Sequence, residues 1–271
     1  MRLTPALHVL TTALLVTLAG CASPPQTKAD GMQVATAAIA LPRQQYSIED
    51  FIETTSVNGA SFSADESRLL FSSNKSGVWN VYSMPVAGGE WTALTRSTTD
   101  NQYAVAYFPG DDRVLLTRDT GGNEQNHLIV VGIDGKERDL TPGDKLKAQF
   151  AGFSHDGKSF FVQTNERDPR YFDVYRYDSA TYARTRIYEN KDGYFPDALS
   201  GDGRWLALNQ IKSTNDSDLY VADLRTGKTA KISAHTGEAS FSAQDFSVDG
   251  QWLYYTANDR GEFSALRRVN L

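Results

Sequence analysis

A short phrase recurs five times along the chain, at Phe62-Ser63-Ala64-Asp65-Glu66, Phe108-Pro109-Gly110-Asp111-Asp112, Phe153-Ser154-His155-Asp156-Gly157, Leu199-Ser200-Gly201-Asp202-Gly203 and Phe246-Ser247-Val248-Asp249-Gly250. Its aspartates stand 46, 45, 46 and 47 residues apart. A period held this evenly marks a chain of repeated supersecondary units that share a continuous core. Repeats, and not domains, are therefore the units to count.

The stretch after each aspartate shows what one unit is. Four and six residues on stand Leu69 and Phe71, Leu115 and Thr117, Phe160 and Val162, Leu206 and Leu208, Leu253 and Tyr255. Alternation with period two describes a strand that buries one face. The phrase itself reads as a hairpin turn, because Asp-Gly supplies the positive φ of short β connections and the carboxylate can bond a backbone amide two residues on. A second β-rich run follows at Val81-Tyr82, Leu128 to Val131, Val174-Tyr175, Leu219 to Val221 and Ala265-Leu266, and a last one at Trp91 to Thr95, Arg138 to Thr141, Arg186 to Tyr188 and Lys231 to Ser233. Four short antiparallel strands in about 45 residues make the blade of a β-propeller. Glycines and β-branched residues recur where helical repeats would have to continue, which excludes a helical solenoid. The expected fold is all-β, with about five blades, the last incomplete because the chain reaches Leu271 before a fourth run. Propellers close by joining last blade to first, so the chain is expected to be truncated; closure of a five-bladed ring by the N-terminal segment is the alternative.

Composition narrows the function. A formal charge of −6 with scattered Lys and Arg offers no field for phosphate backbones, so nucleic acid is not an expected partner. The single Cys excludes an intrachain disulfide, and His8, His127, His155 and His235 lack metal-ligand spacing. Asp216 and Asp218 flank Ser217 without the calcium-loop pattern. Neither metal nor cofactor is expected. Trp205 and Trp252 hold equivalent places in repeats four and five and are expected to pack between blades.

The N-terminus carries an address. Met1-Arg2 and the apolar run from Ala6 to Leu18 form a signal sequence too short to span a bilayer. The run meets Leu18-Ala19-Gly20-Cys21, which resembles the bacterial lipobox. That resemblance implies a signal peptide over 1–20, lipidation of Cys21 and anchoring in the cell envelope, on the periplasmic side of the outer membrane given Ala22 after the Cys. Residues 21–45, rich in Ala, Pro, Thr and Gln, read as a flexible tether, and 46–271 as the partial propeller. Ser47 with Asp50 three residues later predicts a short helix near Tyr46 to Phe51.

Two stretches, Gly121-Gly122-Asn123-Glu124-Gln125-Asn126-His127-Leu128 and Thr164-Asn165-Glu166-Arg167-Asp168-Pro169-Arg170-Tyr171-Phe172-Asp173-Val174-Tyr175, resemble inter-strand loops in the N-terminal propeller of prolyl-oligopeptidase-family serine peptidases, the group with acylaminoacyl-peptidase-like and dipeptidyl-peptidase-like enzymes. The resemblance implies a propeller that caps an α/β-hydrolase domain and restricts access of short peptides to a buried serine. In that family the serine lies in G-x-S-x-G. Here Gly152-Phe153-Ser154-His155-Asp156 fails at its last position, and no βαβ pattern builds a hydrolase sheet. No catalytic residue is assigned, Ser154 beside His155 included, since neighbours on a tight turn are badly placed for an aligned bond. The chain alone is expected to be inactive, with the missing hydrolase domain as its partner. Glu124, Glu166, Arg167 and Asp168 are the candidates for contacts in the cavity; solvated surface ion pairs are their plain alternative. A stand-alone envelope scaffold similar to the Tol-Pal propeller is the competing function. A five-bladed glycan-active enzyme, which needs carboxylates converging on the axis, ranks last.

Overall fold

The computed structural model describes residues 45–271. The signal peptide, Cys21 and most of the tether fall outside the described residues. Described residues begin with a one-turn helix, α1 (Ile48–Ile52), directly after Ser47, as its capping pattern predicts. No described helix is long and apolar enough to cross a membrane.

Five antiparallel sheets follow in chain order. The first holds β1 (Val57–Phe62), β2 (Arg68–Ser73), β3 (Asn80–Pro85) and β4 (Thr92–Ala93); the second β5 (Gln102–Tyr107), β6 (Val114–Arg118), β7 (His127–Val131) and β8 (Glu137–Asp139). The third holds β9 (Ala148–Phe153), β10 (Ser159–Asp168), β11 (Tyr171–Asp178) and β12 (Arg184–Tyr188); the fourth β13 (Phe195–Leu199), β14 (Trp205–Ser213), β15 (Asp216–Asp223) and β16 (Lys228–Lys231). The fifth has three strands, β17 (Phe241–Phe246), β18 (Trp252–Ala257) and β19 (Ala265–Asn270). Every strand pairs with its neighbour in sequence, which is the blade topology expected. The last strands of the second and fourth sheets begin and end one to three residues earlier than the apolar pattern suggests. Leu140 and Ile232 lie past the strands and pack inward.

The first strand of every sheet carries a register shift, between Asn58 and Ser61, Ala104 and Ala106, Phe150 and Gly152, Pro196 and Ala198, Ala243 and Asp245. A bulge adds local twist and lets the next sheet pack at an angle. The core lies between sheets. Leu70 and Val81 meet Leu116 and Ile129; Leu115 and Leu128 meet Phe160 and Val162; Val174 meets Leu206 and Leu208; Leu219 and Val221 meet Phe241 and Leu253. Trp205 joins the last of these clusters with Arg204 stacked 4.2 Å from its ring, whereas Trp252 is stacked by Arg268, also at 4.2 Å. Polar ties run between first strands as well: Ala104 N donates to Ser72 Oγ at 2.8 Å and Ala243 N to Asp197 Oδ2 at 2.7 Å.

The repeated phrase is the turn from first to second strand, and its serine does as much as its aspartate. Ser200 Oγ donates to Asp202 Oδ1 at 2.6 Å and accepts the Trp205 amide at 2.8 Å, while Asp202 Oδ1 accepts the Arg204 amide at 3.0 Å. Ser63, Ser154 and Ser247 repeat these bonds. The second sheet has Pro109 in the serine position; there Asp111 takes the Arg113 amide and guanidinium instead. Gly203, at φ 69°, holds the positive φ of its turn, and a Cβ there would come within 3.1 Å of Phe161. Replacing the buried Ser200 by Ala is expected to cost about 1–2 kcal/mol, read as a lowered urea midpoint, because the turn loses both bonds at once.

Candidate functional site

In an antiparallel four-strand unit the first and third turns share one end, and the second turn shares the other with the connection to the next unit. Neighbouring units line these ends up. His155 N bonds Gly201 O at 3.0 Å at the turn end, while Gln102 N bonds Trp79 O at 2.9 Å, Ala148 N bonds Asn126 O at 2.8 Å and Ser217 N bonds Ala239 O at 3.0 Å at the loop end. Glu124, Glu166, Arg167 and Asp168 all lie at the loop end, opposite the repeated phrase. The structure gathers three of them on one hairpin and leaves Glu124 apart. Glu124 sits exposed in the loop before β7 at φ 58°, its amide bonded to Asp119 Oδ2 at 2.9 Å.

The residue that opens each third strand organises this end. Asn80, His127, Asp173 and Asp218 hold that place, and each reaches a polar partner on the outgoing fourth strand. Asn80 Oδ1 accepts Thr95 Oγ1 at 2.9 Å, His127 Nδ1 lies 2.7 Å from Asp139 Oδ2, Asp173 Oδ1 accepts the Asn190 amide at 2.8 Å, and Asp218 Oδ1 accepts Ser233 Oγ at 2.8 Å. In the third and fourth units the residue is a buried carboxylate gripping two cations. Asp173, 0% exposed, takes a fork from Arg167, Nε at 2.7 Å and Nη2 at 2.8 Å, with Arg186 at 3.5 Å. Asp218, 2% exposed, takes Lys212 and Lys231 at 2.8 Å each and His235 at 3.1 Å. The cations are what burial of these carboxylates requires. Asp218 is therefore engaged by ammonium groups and not left open to an ion.

These charges set the electrostatics. Burial alone would raise the Asp173 carboxyl, but the Arg167 fork and the Asn190 amide more than offset it, and the group stays ionised below its ordinary range. Asp218 is lowered likewise, burial being outweighed by Lys212, Lys231, Ser233 and His235. Tyr175 is pushed up to about 12, first by burial and then by its bond to Glu166. Glu166 in turn accepts Arg184 Nη1 at 2.7 Å, and Arg170 chelates Asp168, Nε at 3.0 Å and Nη2 at 2.8 Å. Asp168 is lowered to about 2, chiefly by that guanidinium, as Asp65 is lowered to about 2 by Ser63 and Ser67. Carboxylates whose folded pKa is depressed stabilise the fold above their unfolded value and lose that contribution as protons bind. Stability is thus expected to fall as pH drops from the ordinary 3.8 towards about 2, measurable as a falling melting temperature across that window.

Ser154 and His155 form no hydrolytic pair. The serine hydroxyl is committed to Asp156 at 2.7 Å and to Ser159, while the His155 ring lies over Gly201, where a Cβ would come within 1.9 Å of it. Sequence reasoning missed Asp173, the anchor of the third unit. Its signal was available: an aspartate opening a third strand, at the position Asp218 takes one repeat later.

The five sheets define a β-propeller fold, and the comparisons with known proteins fall in that class. No family model matches the chain. Dipeptidyl aminopeptidase BIII of Pseudoxanthomonas mexicana is 37% identical over 131 residues, covering 45% of this chain and 19% of that peptidase. Among solved structures, a prolyl endopeptidase matches at TM-score 0.61 and 16% identity, over 80% of this chain and 34% of that one. TolB from Acinetobacter baumannii matches at TM-score 0.52 and 18% identity, over 79% of this chain and 52% of that one, and an oligogalacturonate lyase at 0.60 and 16%, over 80% and 64%. The structural likenesses share the fold, and the sequence match supports the resemblance to the N-terminal propeller of prolyl-oligopeptidase-family peptidases.

Proposed function

We propose that this chain is the non-catalytic, substrate-gating propeller portion of a cell-envelope serine peptidase of the prolyl-oligopeptidase type, which hydrolyses short peptides. The observation that carries the reading is the 37% identity over 131 residues to a dipeptidyl aminopeptidase, far above the level at which other propellers agree with this chain. The loop end supports it, because the charged residues of the 164–175 hairpin are held there by a buried carboxylate and not left to solvent. In this reading Cys21 carries the lipid that anchors the enzyme on the periplasmic side of the outer membrane, and an α/β-hydrolase domain is the propeller's partner. Fluorophosphonate labelling of the complete natural gene product is the test. One reactive serine with dipeptide-releasing activity is expected there, and neither in residues 46–271 alone; a gene product with no reactive serine would overturn the reading.

The second reading, a protein-interaction scaffold, is favoured by the likeness to TolB, of which the chain covers 52% in one structure and 77% in another. A complete gene product without peptidase activity that captures a defined envelope protein would be its signature.

A further inference from the structure

We infer that the loop end of the third sheet carries a binding site for the carboxylate of a short peptide, in the pocket of about 560 Å³ between the 142–146 connection and the β10–β11 hairpin. Lys145, Arg167, Arg186, Asn165, Glu166 and Tyr175 line it. Three cations thus face one acid in a chain whose net charge is −6. Their counter-charges are engaged away from the opening. Asp173, wholly buried behind the pocket, holds Arg167 by Nε and Nη2, and the Asn190 carbonyl accepts a further bond from Nη2 at 2.7 Å, so that Nη1 has no protein acceptor. Arg186 is shared between Glu189 at 2.7 Å and Asp173 at 3.5 Å. Glu166 is taken by Arg184 at 2.7 Å. Lys145 is exposed and has no ion-pair partner among the described residues.

The walls are fixed before any ligand arrives. Asn165 Oδ1 accepts the Lys147 amide at 2.6 Å and its Nδ2 donates to Pro169 O at 3.3 Å, which ties the hairpin to the connection that carries Lys145. A guanidinium clamped by a buried carboxylate loses little freedom on meeting an anion, and such preorganisation is what converts a charge into affinity. A planar carboxylate matches a guanidinium edge and an ammonium across a pocket of this size. The choice of a peptide as the carrier rests on the function proposed above; the anion chemistry rests on the pocket alone.

Calorimetry on the chain with acetyl-Ala-Ala as the free acid, its C-terminal amide and acetate tests the site. Lys145→Glu is the deciding variant, since Lys145 is exposed and supports no buried group; Arg167→Ala is avoided because it strands Asp173. The free acid is expected to bind at least about tenfold more tightly than the amide or acetate, and Lys145→Glu to remove the difference with an unchanged circular dichroism spectrum. Arg186→Gln is expected to weaken binding in the same direction. Equal affinity for acid and amide, no tighter binding of the peptide acid than of acetate, full binding by Lys145→Glu, or no binding at millimolar peptide would each overturn the inference. Failure here leaves fluorophosphonate labelling of the gene product untouched, so the two readings fail separately.

Discussion

Asp173→Ala is expected to destabilise the third sheet by about 3 kcal/mol, the largest effect of any polar substitution in this chain. The side chain is 0% exposed and ends in four interactions: two from the Arg167 fork, one from Arg186 and one from the Asn190 amide. Removal leaves a buried amide without an acceptor and two guanidinium groups without their common counter-ion. Arg167 keeps a side-chain exposure of 28%, which lets water recover part of its solvation and holds the estimate at the lower end of what a broken buried pair costs. Asp173→Asn keeps an acceptor for the Asn190 amide and is expected to lose less. Urea unfolding of both variants beside the parent measures the difference, and an unchanged midpoint for Asp173→Ala would remove the anchor role.

Phe160→Ala should cost about 3–5 kcal/mol, because the ring sits where the second and third sheets lock together. It is 0% exposed, stacks on Tyr177 with centroids 5.0 Å apart and meets Phe108 edge-on at 5.8 Å. No neighbour can collapse into the gap, since both flanking sheets are held by their own strand pairing and the cavity opens between two β surfaces. Thermal unfolding should show the loss directly. Phe160→Leu, which keeps most of the volume, is expected to lose much less.

The repeat was legible because its phrase is a local device. The Ser–Asp pair closes each turn through bonds that span at most five residues, as at Ser154 to Ser159, so spacing alone reports it. The second and third strands were legible for the same reason: their alternation is set by the sheets packed on either face. The fourth strands were less so. They pair along one edge only, and their boundary is set by where the next connection leaves, as at Lys228–Lys231, whose four residues are all exposed. The anchor Asp173 escaped notice because its importance is a fact of burial. Nothing in Tyr171-Phe172-Asp173 distinguishes a carboxylate that faces two guanidinium groups in the interior from one that faces water. Equally, Arg167 and Asp168 are neighbours in sequence with opposite fates: the first turns in to Asp173, the second out to Arg170.

The central claim, that these sheets restrict a peptidase to short peptides, is tested most directly by the length dependence of hydrolysis in the complete gene product. kcat/KM is predicted to fall by at least about a hundredfold between an octapeptide and an unfolded polypeptide of the same terminal sequence, the size of effect an access barrier imposes without altering the chemistry. Loosening the sheets with Phe160→Ala should narrow that ratio while leaving short-peptide hydrolysis in place. Equal rates on short and long chains in the parent enzyme would contradict the account.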